Sequence, residues 1–103
     1  MRHHVATLET LPAGSLRRVE PDGTPVCLIR LSSGDVFAIG DECSHENIEL
    51  SDGDLDGDDV VCPAHGSCFD VRTGKPGGLP ATAPVPTYPV QIDAGEVFIE
   101  IGD

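Results

Sequence analysis

The stretch CSHENIELSDGDLDGDDVVCPAHGSCFDVRTGK, Cys43 to Lys75, carries two short boxes, Cys43-Ser44-His45 and Cys62-Pro63-Ala64-His65-Gly66-Ser67. Each pairs one thiol with one imidazole, and sixteen residues separate them. No helical periodicity runs through the interval. Instead, nine of the chain's eighteen acidic residues crowd into Asp41 to Asp59, and Asp59-Val60-Val61 reads as a short strand leading into Cys62. Residues 67–71 read as another strand, closed by Thr73-Gly74. Pro76 to Pro86 then holds four prolines and two glycines, the composition of an irregular loop with few backbone donors.

Outward from this region the pattern changes to short apolar runs punctuated by turn residues, the mark of an all-β domain. Upstream, Leu16 to Glu20 reads as a strand turned by Pro21-Asp22-Gly23. Pro25 to Leu31 (PVCLIRL) reads as a second, and after Ser32-Ser33-Gly34, Val36 to Ile39 as a third. Downstream, Thr87 to Ile92, a turn at Asp93-Ala94-Gly95 and Val97 to Ile101 make a closing hairpin. The expected architecture is an antiparallel β-sandwich or barrel-like core built from the first and last strands. Residues from about 41 to 80 are expected as a loop-rich unit inserted into that core, the whole chain, 1–103, being one domain.

Composition sets limits on function. A chain of 103 residues has no room for a second catalytic domain. Six basic residues against eighteen acidic ones leave a formal charge of −12. That excludes the phosphate-tracking surface that nucleic-acid binding needs and disfavours anionic membranes. The apolar runs are far too short to span a bilayer, and no basic-then-apolar leader opens the sequence. A soluble, cytoplasmic, monomeric protein is expected. In that reducing compartment the four cysteines, Cys27, Cys43, Cys62 and Cys68, are better read as metal ligands or core thiols than as disulfides.

The paired boxes suit a particular chemistry. A [2Fe–2S] cluster with mixed ligation needs two thiolates on one iron and two imidazoles on the other, so each box can supply one ligand to each iron. Gly66 lets the backbone approach such a cluster closely. A structural Cys₂His₂ zinc site is the alternative, although one residue between Cys43 and His45 is tight for a zinc knuckle. The separations of the four cysteines do not match a plant-type all-cysteine cluster. Cys27, within PVCLIRL, reads as a buried core thiol, and Cys68 as a strand residue outside the ligand pattern. Asp52-Gly53-Asp54-Leu55-Asp56-Gly57 copies the start of a calcium EF-hand loop, but the twelfth position is Pro63 instead of glutamate, so a solvated, turn-rich acidic loop is expected.

C-x-H, sixteen residues, C-x-x-H-G-S and then Phe69-Asp70-Val71-Arg72-Thr73-Gly74-Lys75 resembles the Rieske ferredoxins over essentially the whole chain. The resemblance implies the Rieske fold, a β core with a cluster-binding insertion and a proline-containing cover, matched here by the Leu79-Pro80 region. It implies one Rieske-type [2Fe–2S] cluster, with Cys43 and Cys62 on the inner iron and His45 and His65 on the outer one.

Membrane-complex relatives add one cysteine to each box, where this chain has Ile48 and Ala64, and place a tyrosine where it has Phe69. With that hydroxyl donor missing, the expected potential lies in the lower part of a range of roughly −150 to +300 mV. Rieske oxygenases add a mononuclear iron site, for which only His3 and His4 remain, so this chain is not expected to be catalytic. The resemblance implies instead the ferredoxin of an aromatic-ring-hydroxylating dioxygenase system. Its partners would be a flavin-dependent NAD(P)H ferredoxin reductase and a terminal oxygenase. A small Rieske subunit of an assimilatory nitrite-reductase-like system, or a zinc-stabilised interaction module, are the alternatives.

Overall fold

A computed structural model describes residues 2–42, 48–63, 67–77 and 83–101. These residues form strands β1 (Arg2–Thr7), β2 (Ser15–Val19), β3 (Val26–Arg30), β4 (Val36–Gly40), β5 (Asp54–Asp56), β6 (Asp59–Val61), β7 (Cys68–Asp70), β8 (Thr87–Tyr88), β9 (Val90–Asp93) and β10 (Glu96–Glu100). Single 3₁₀ turns lie at Leu8–Thr10, Pro21–Gly23 and Leu50–Asp52. The strands make three antiparallel sheets, ordered β1-β10-β9, β2-β3-β4-β8 and β5-β6-β7. The fold is all-β, as the short punctuated runs predict. No helix among the described residues is long and apolar enough to cross a membrane.

The four-stranded sheet is the middle layer. Side chains alternate faces along a strand. Cys27, Ile29 and Ile39 therefore pack with Leu50, Val60, Cys62, Phe69, Val71 and Val85 on one side. Val26, Leu28, Val36 and Ala38 pack with Ala6, Leu11, Val97 and Ile99 on the other. A strand covered on both faces needs an unbroken apolar run, which is why Val26 to Ile29 lacks polar alternation. Each fully buried aliphatic side chain here contributes about 1.5–3 kcal/mol relative to exposure.

Three features differ from the sequence reading. Arg2–Thr7, a stretch the sequence reading leaves without a strand, is β1, pairing with β10 from Arg2↔Glu100 to Thr7↔Glu96 with a bulge between His4 and Ala6. Its polar content hides a strand stabilised by tertiary pairing. The expected single strand Thr87 to Ile92 breaks at Pro89, which has no N–H for a ladder; β8 pairs with β4, whereas β9 pairs with β10. The acidic stretch is also less irregular than expected, since Asp54–Asp56 forms a hairpin with β6 around Gly57, whose φ is +60°.

Candidate metal centre

The described residues on either side of each box are tied to each other. The second lies in the hairpin between β6 and β7, where Val61 pairs with Cys68. The Cys62 N–H donates to the Ser67 carbonyl at 2.7 Å, closing the loop. Both Cys62 and Ser67 are buried. The first box follows β4 in the chain and precedes the Leu50–Asp52 turn. An antiparallel bridge between Glu42 and Glu49 closes it, and the Leu50 N–H donates to the Asp41 carbonyl at 3.0 Å. Of the four expected ligands, Cys62 is placed. Cys43, His45 and His65 lie outside the described residues, as does the Leu79-Pro80 cover.

The two loop bases are packed against each other. A β-carbon on Gly53 would collide with the Val61 carbonyl, so the turn that ends the first box rests on the strand that leads into the second. Only glycine allows that approach. The segment beyond the second box folds back as well, with Phe69 bridged to Pro76, and the Gly77 N–H on the Cys68 carbonyl at 2.7 Å. The described residues that flank the two boxes therefore share one base, and the sequence of the boxes supplies two thiols and two imidazoles. Cys62 is shielded from water there. These residues fit an iron–sulfur cluster.

The other thiols differ in setting. Burial first, and then the neighbouring Asp41 carboxylate, push the Cys27 thiol far up, so it stays protonated as a core group. Cys68 is also pushed up, by burial and by Asp59 and Asp56. Among the described residues no three Cys, His, Asp or Glu side chains gather as a metal site. The EF-hand-like stretch runs from the Leu50–Asp52 turn into β5, which pairs with β6.

Sequence reasoning missed Asp41. It belongs to the acidic run, yet its side chain is fully buried. Its Oδ2 accepts from Arg18 Nη1 at 2.9 Å and from Ser51 Oγ at 2.8 Å, while Oδ1 accepts from the Ser51 N–H at 2.7 Å. Arg18 also pairs with Glu49 at 3.0 Å and Glu20 at 3.2 Å. Asp41, and then burial, Glu20 and Glu49, leave its pKa raised on balance. The signal available in the sequence was position: an acid ending an apolar strand is drawn into the layer that strand builds.

Residues 1–89 match the family described as Rieske [2Fe-2S] domain. The chain is 43% identical over 100 residues to the 3-phenylpropionate/cinnamic acid dioxygenase ferredoxin subunit of Photorhabdus laumondii, covering 96% of this chain and 93% of that one. Its structure is similar to the ferredoxin of carbazole 1,9a-dioxygenase from Nocardioides aromaticivorans IC177, with a TM-score of 0.91, 36% identity and 96% of each chain covered. A complex of reduced oxygenase and oxidized ferredoxin in carbazole 1,9a-dioxygenase holds a chain similar at a TM-score of 0.89 and 35% identity, covering 95% of this chain and 91% of that one.

Proposed function

Because this chain belongs to the Rieske [2Fe-2S] domain family, we propose that Cys43 and Cys62 hold one iron of its cluster, that His45 and His65 hold the other, and that the protein carries single electrons from a flavin-dependent NAD(P)H reductase to a terminal oxygenase. The cluster supplies one reversible one-electron step. This chain's residues provide the rest. The Cys62–Ser67 bond and the Gly53–Val61 contact hold the loops, and burial keeps water from Cys62. The carrier works as a monomer in the cytoplasm and transforms no substrate itself.

The observation that carries this reading is the joining of the two box loops on one base, with Cys62 buried in it. Similarity to dioxygenase ferredoxins across nearly the full length of both chains supports the carrier role. The test is metal and sulfide analysis of the purified protein, followed by stopped-flow mixing with a reductase and an oxygenase of an aromatic dioxygenase system. About two irons and two acid-labile sulfides per chain are expected, with reduction by the first partner and reoxidation by the second. One zinc without sulfide would overturn the ligand assignment. A cluster that the oxygenase cannot reoxidise would overturn the partner assignment.

A further inference from the structure

Every polar atom of Asp41 is engaged, and together these bonds reach both ends of the first box. Its N–H donates to the Pro25 carbonyl at 3.2 Å, beside the start of β3. Its carbonyl accepts from Leu50, and its carboxylate accepts both the N–H and the hydroxyl of Ser51. The same carboxylate accepts from Arg18 in β2, and Arg18 reaches on to Glu49. Asp41 lies two residues before Cys43, and Ser51 six residues after His45. The loop that bears Cys43 and His45 is thus pinched at its neck by one side chain.

The pinch extends to the second box. Ser51 sits within the Leu50–Asp52 turn, whose next residue, Gly53, lies against the Val61 carbonyl, one residue before Cys62. A change in how Asp41 holds Ser51 therefore displaces the base of the second box relative to the first. We infer that Asp41, with Ser51 as its partner, is a positioning residue that sets the spacing of the two ligand boxes, and through it the geometry and retention of the cluster. This rests on the ligand assignment above, which the metal content of the unaltered protein tests separately.

Buried groups that orient ligands are costly to lose, and their removal weakens metal binding by about ten- to a hundredfold. The key variant is Ser51→Ala, which changes no charge and leaves the Ser51 N–H in place. Asp41→Asn is the second, and Ser51→Thr is the conservative rescue. Val97→Ala, in the sheet on the far face of the middle layer, is a control for stability loss alone.

Holoprotein of each is followed for iron loss to a chelator, well below its melting temperature, and for the EPR g values of the reduced cluster. Ser51→Ala and Asp41→Asn are expected to lose iron about tenfold faster or more and to shift the g values. Ser51→Thr is expected to match the parent protein, and Val97→Ala to melt earlier with unaltered g values. Parental iron loss and g values in Ser51→Ala would overturn the inference, as would a Val97→Ala variant that shifts both equally. If Asp41→Asn does not fold, Ser51→Ala and Ser51→Thr decide the matter.

Discussion

Asp59 in β6 stands directly opposite Asp70 in β7, and on its other side it faces Asp56 in β5. Asp70 is held in place, since its Oδ1 accepts the N–H groups of Arg72 at 2.7 Å and Thr73 at 3.3 Å. Asp58 pairs with Arg72 at 2.6 Å. The strain of crowding therefore falls on Asp59: burial first, then Asp70, Asp56 and Asp58, raise its pKa above 3.8.

A carboxyl whose pKa is raised on folding stabilises the fold at acid pH, and this contribution is lost as pH rises from the unfolded value of 3.8 through the raised one. Asp59→Asn removes the penalty. It is expected to stabilise the neutral protein by about 0.5 kcal/mol, or roughly two to four degrees in Tm. The gain should shrink as pH falls towards 3.8 and in high salt. Thermal melts of parent and variant across pH and salt check this; a gain constant in both would mean that facing charges are not its source.

The ligand assignment predicts opposite outcomes for neighbouring residues. His45→Cys and His65→Cys should each abolish the Rieske EPR and visible spectra, because a thiolate adds negative charge where a neutral imidazole belongs. Cys68→Ser should keep iron content and spectrum, since Cys68 lies in β7 with its thiol pushed towards the protonated form. Loss of the cluster in Cys68→Ser with retention in His65→Cys would reverse the assignment.

The hairpin between β9 and β10 has a two-residue loop, Ala94-Gly95, with φ of +53° and +84°. Both positions are left-handed, as the strand twist demands, but alanine adopts that region at a cost of about 1 kcal/mol. Ala94→Gly is expected to raise stability by about 0.5–1 kcal/mol, with spectrum and potential untouched. Chemical denaturation measures the gain; a loss would show that the loop relaxes in solution.

Docking by charge makes the fourth prediction. Asp52, Asp54 and Asp56 are exposed beside the base shared by the two boxes. Exposed Asp35 lies just beyond the other end of the β3–β4 ladder, next to Val36 of its last pair, and exposed Glu9 and Asp93 flank the outer sheet. Converting the first three to Asn or Gln should cut the association rate with the oxygenase about tenfold or more at low ionic strength and flatten its salt dependence. The same change at Glu9, Asp35 and Asp93 should do little. Equal effects in stopped-flow mixing would leave net charge as the only factor.

The sequence made some of this readable and hid the rest for physical reasons. Cys27 was legible because an unbroken apolar run around a thiol means a strand covered on both faces. The strand break at Pro89 was not read, although proline itself announces it, because Thr87 to Ile92 alternates well enough to pass for one strand. β1 was hidden because Arg2, His3 and His4 carry no apolar signal, and its pairing depends on β10, at the far end of the chain from Arg2↔Glu100 to Thr7↔Glu96. Asp41 was hidden by its company: eight neighbouring acids suggest water, and only its place at the end of β4 distinguishes it. The boxes gave residue types and spacing, whereas the Gly53–Val61 contact that joins them needs the fold.

The two-faced middle strand also bears on how the chain finds its register while folding. Sliding β3 by one residue would exchange Val26 and Leu28 for Cys27 and Ile29, apolar for apolar, so burial alone discriminates poorly between the two alignments. The cross-check comes from polar groups at one end. Arg18 pairs with Cys27, and Cys27 with Ile39, which holds β2 and β4 in the relative alignment where the guanidinium meets a carboxylate two residues beyond Ile39, an alignment lost when β3 slips against one neighbour and not the other. A sheet slipped in that way would leave the buried Asp41 carboxylate without its cation, at a cost of several kcal/mol. The salt link between Arg18 and Asp41 thus acts as a proofreading step in assembly, rejecting a sheet that its apolar residues would accept.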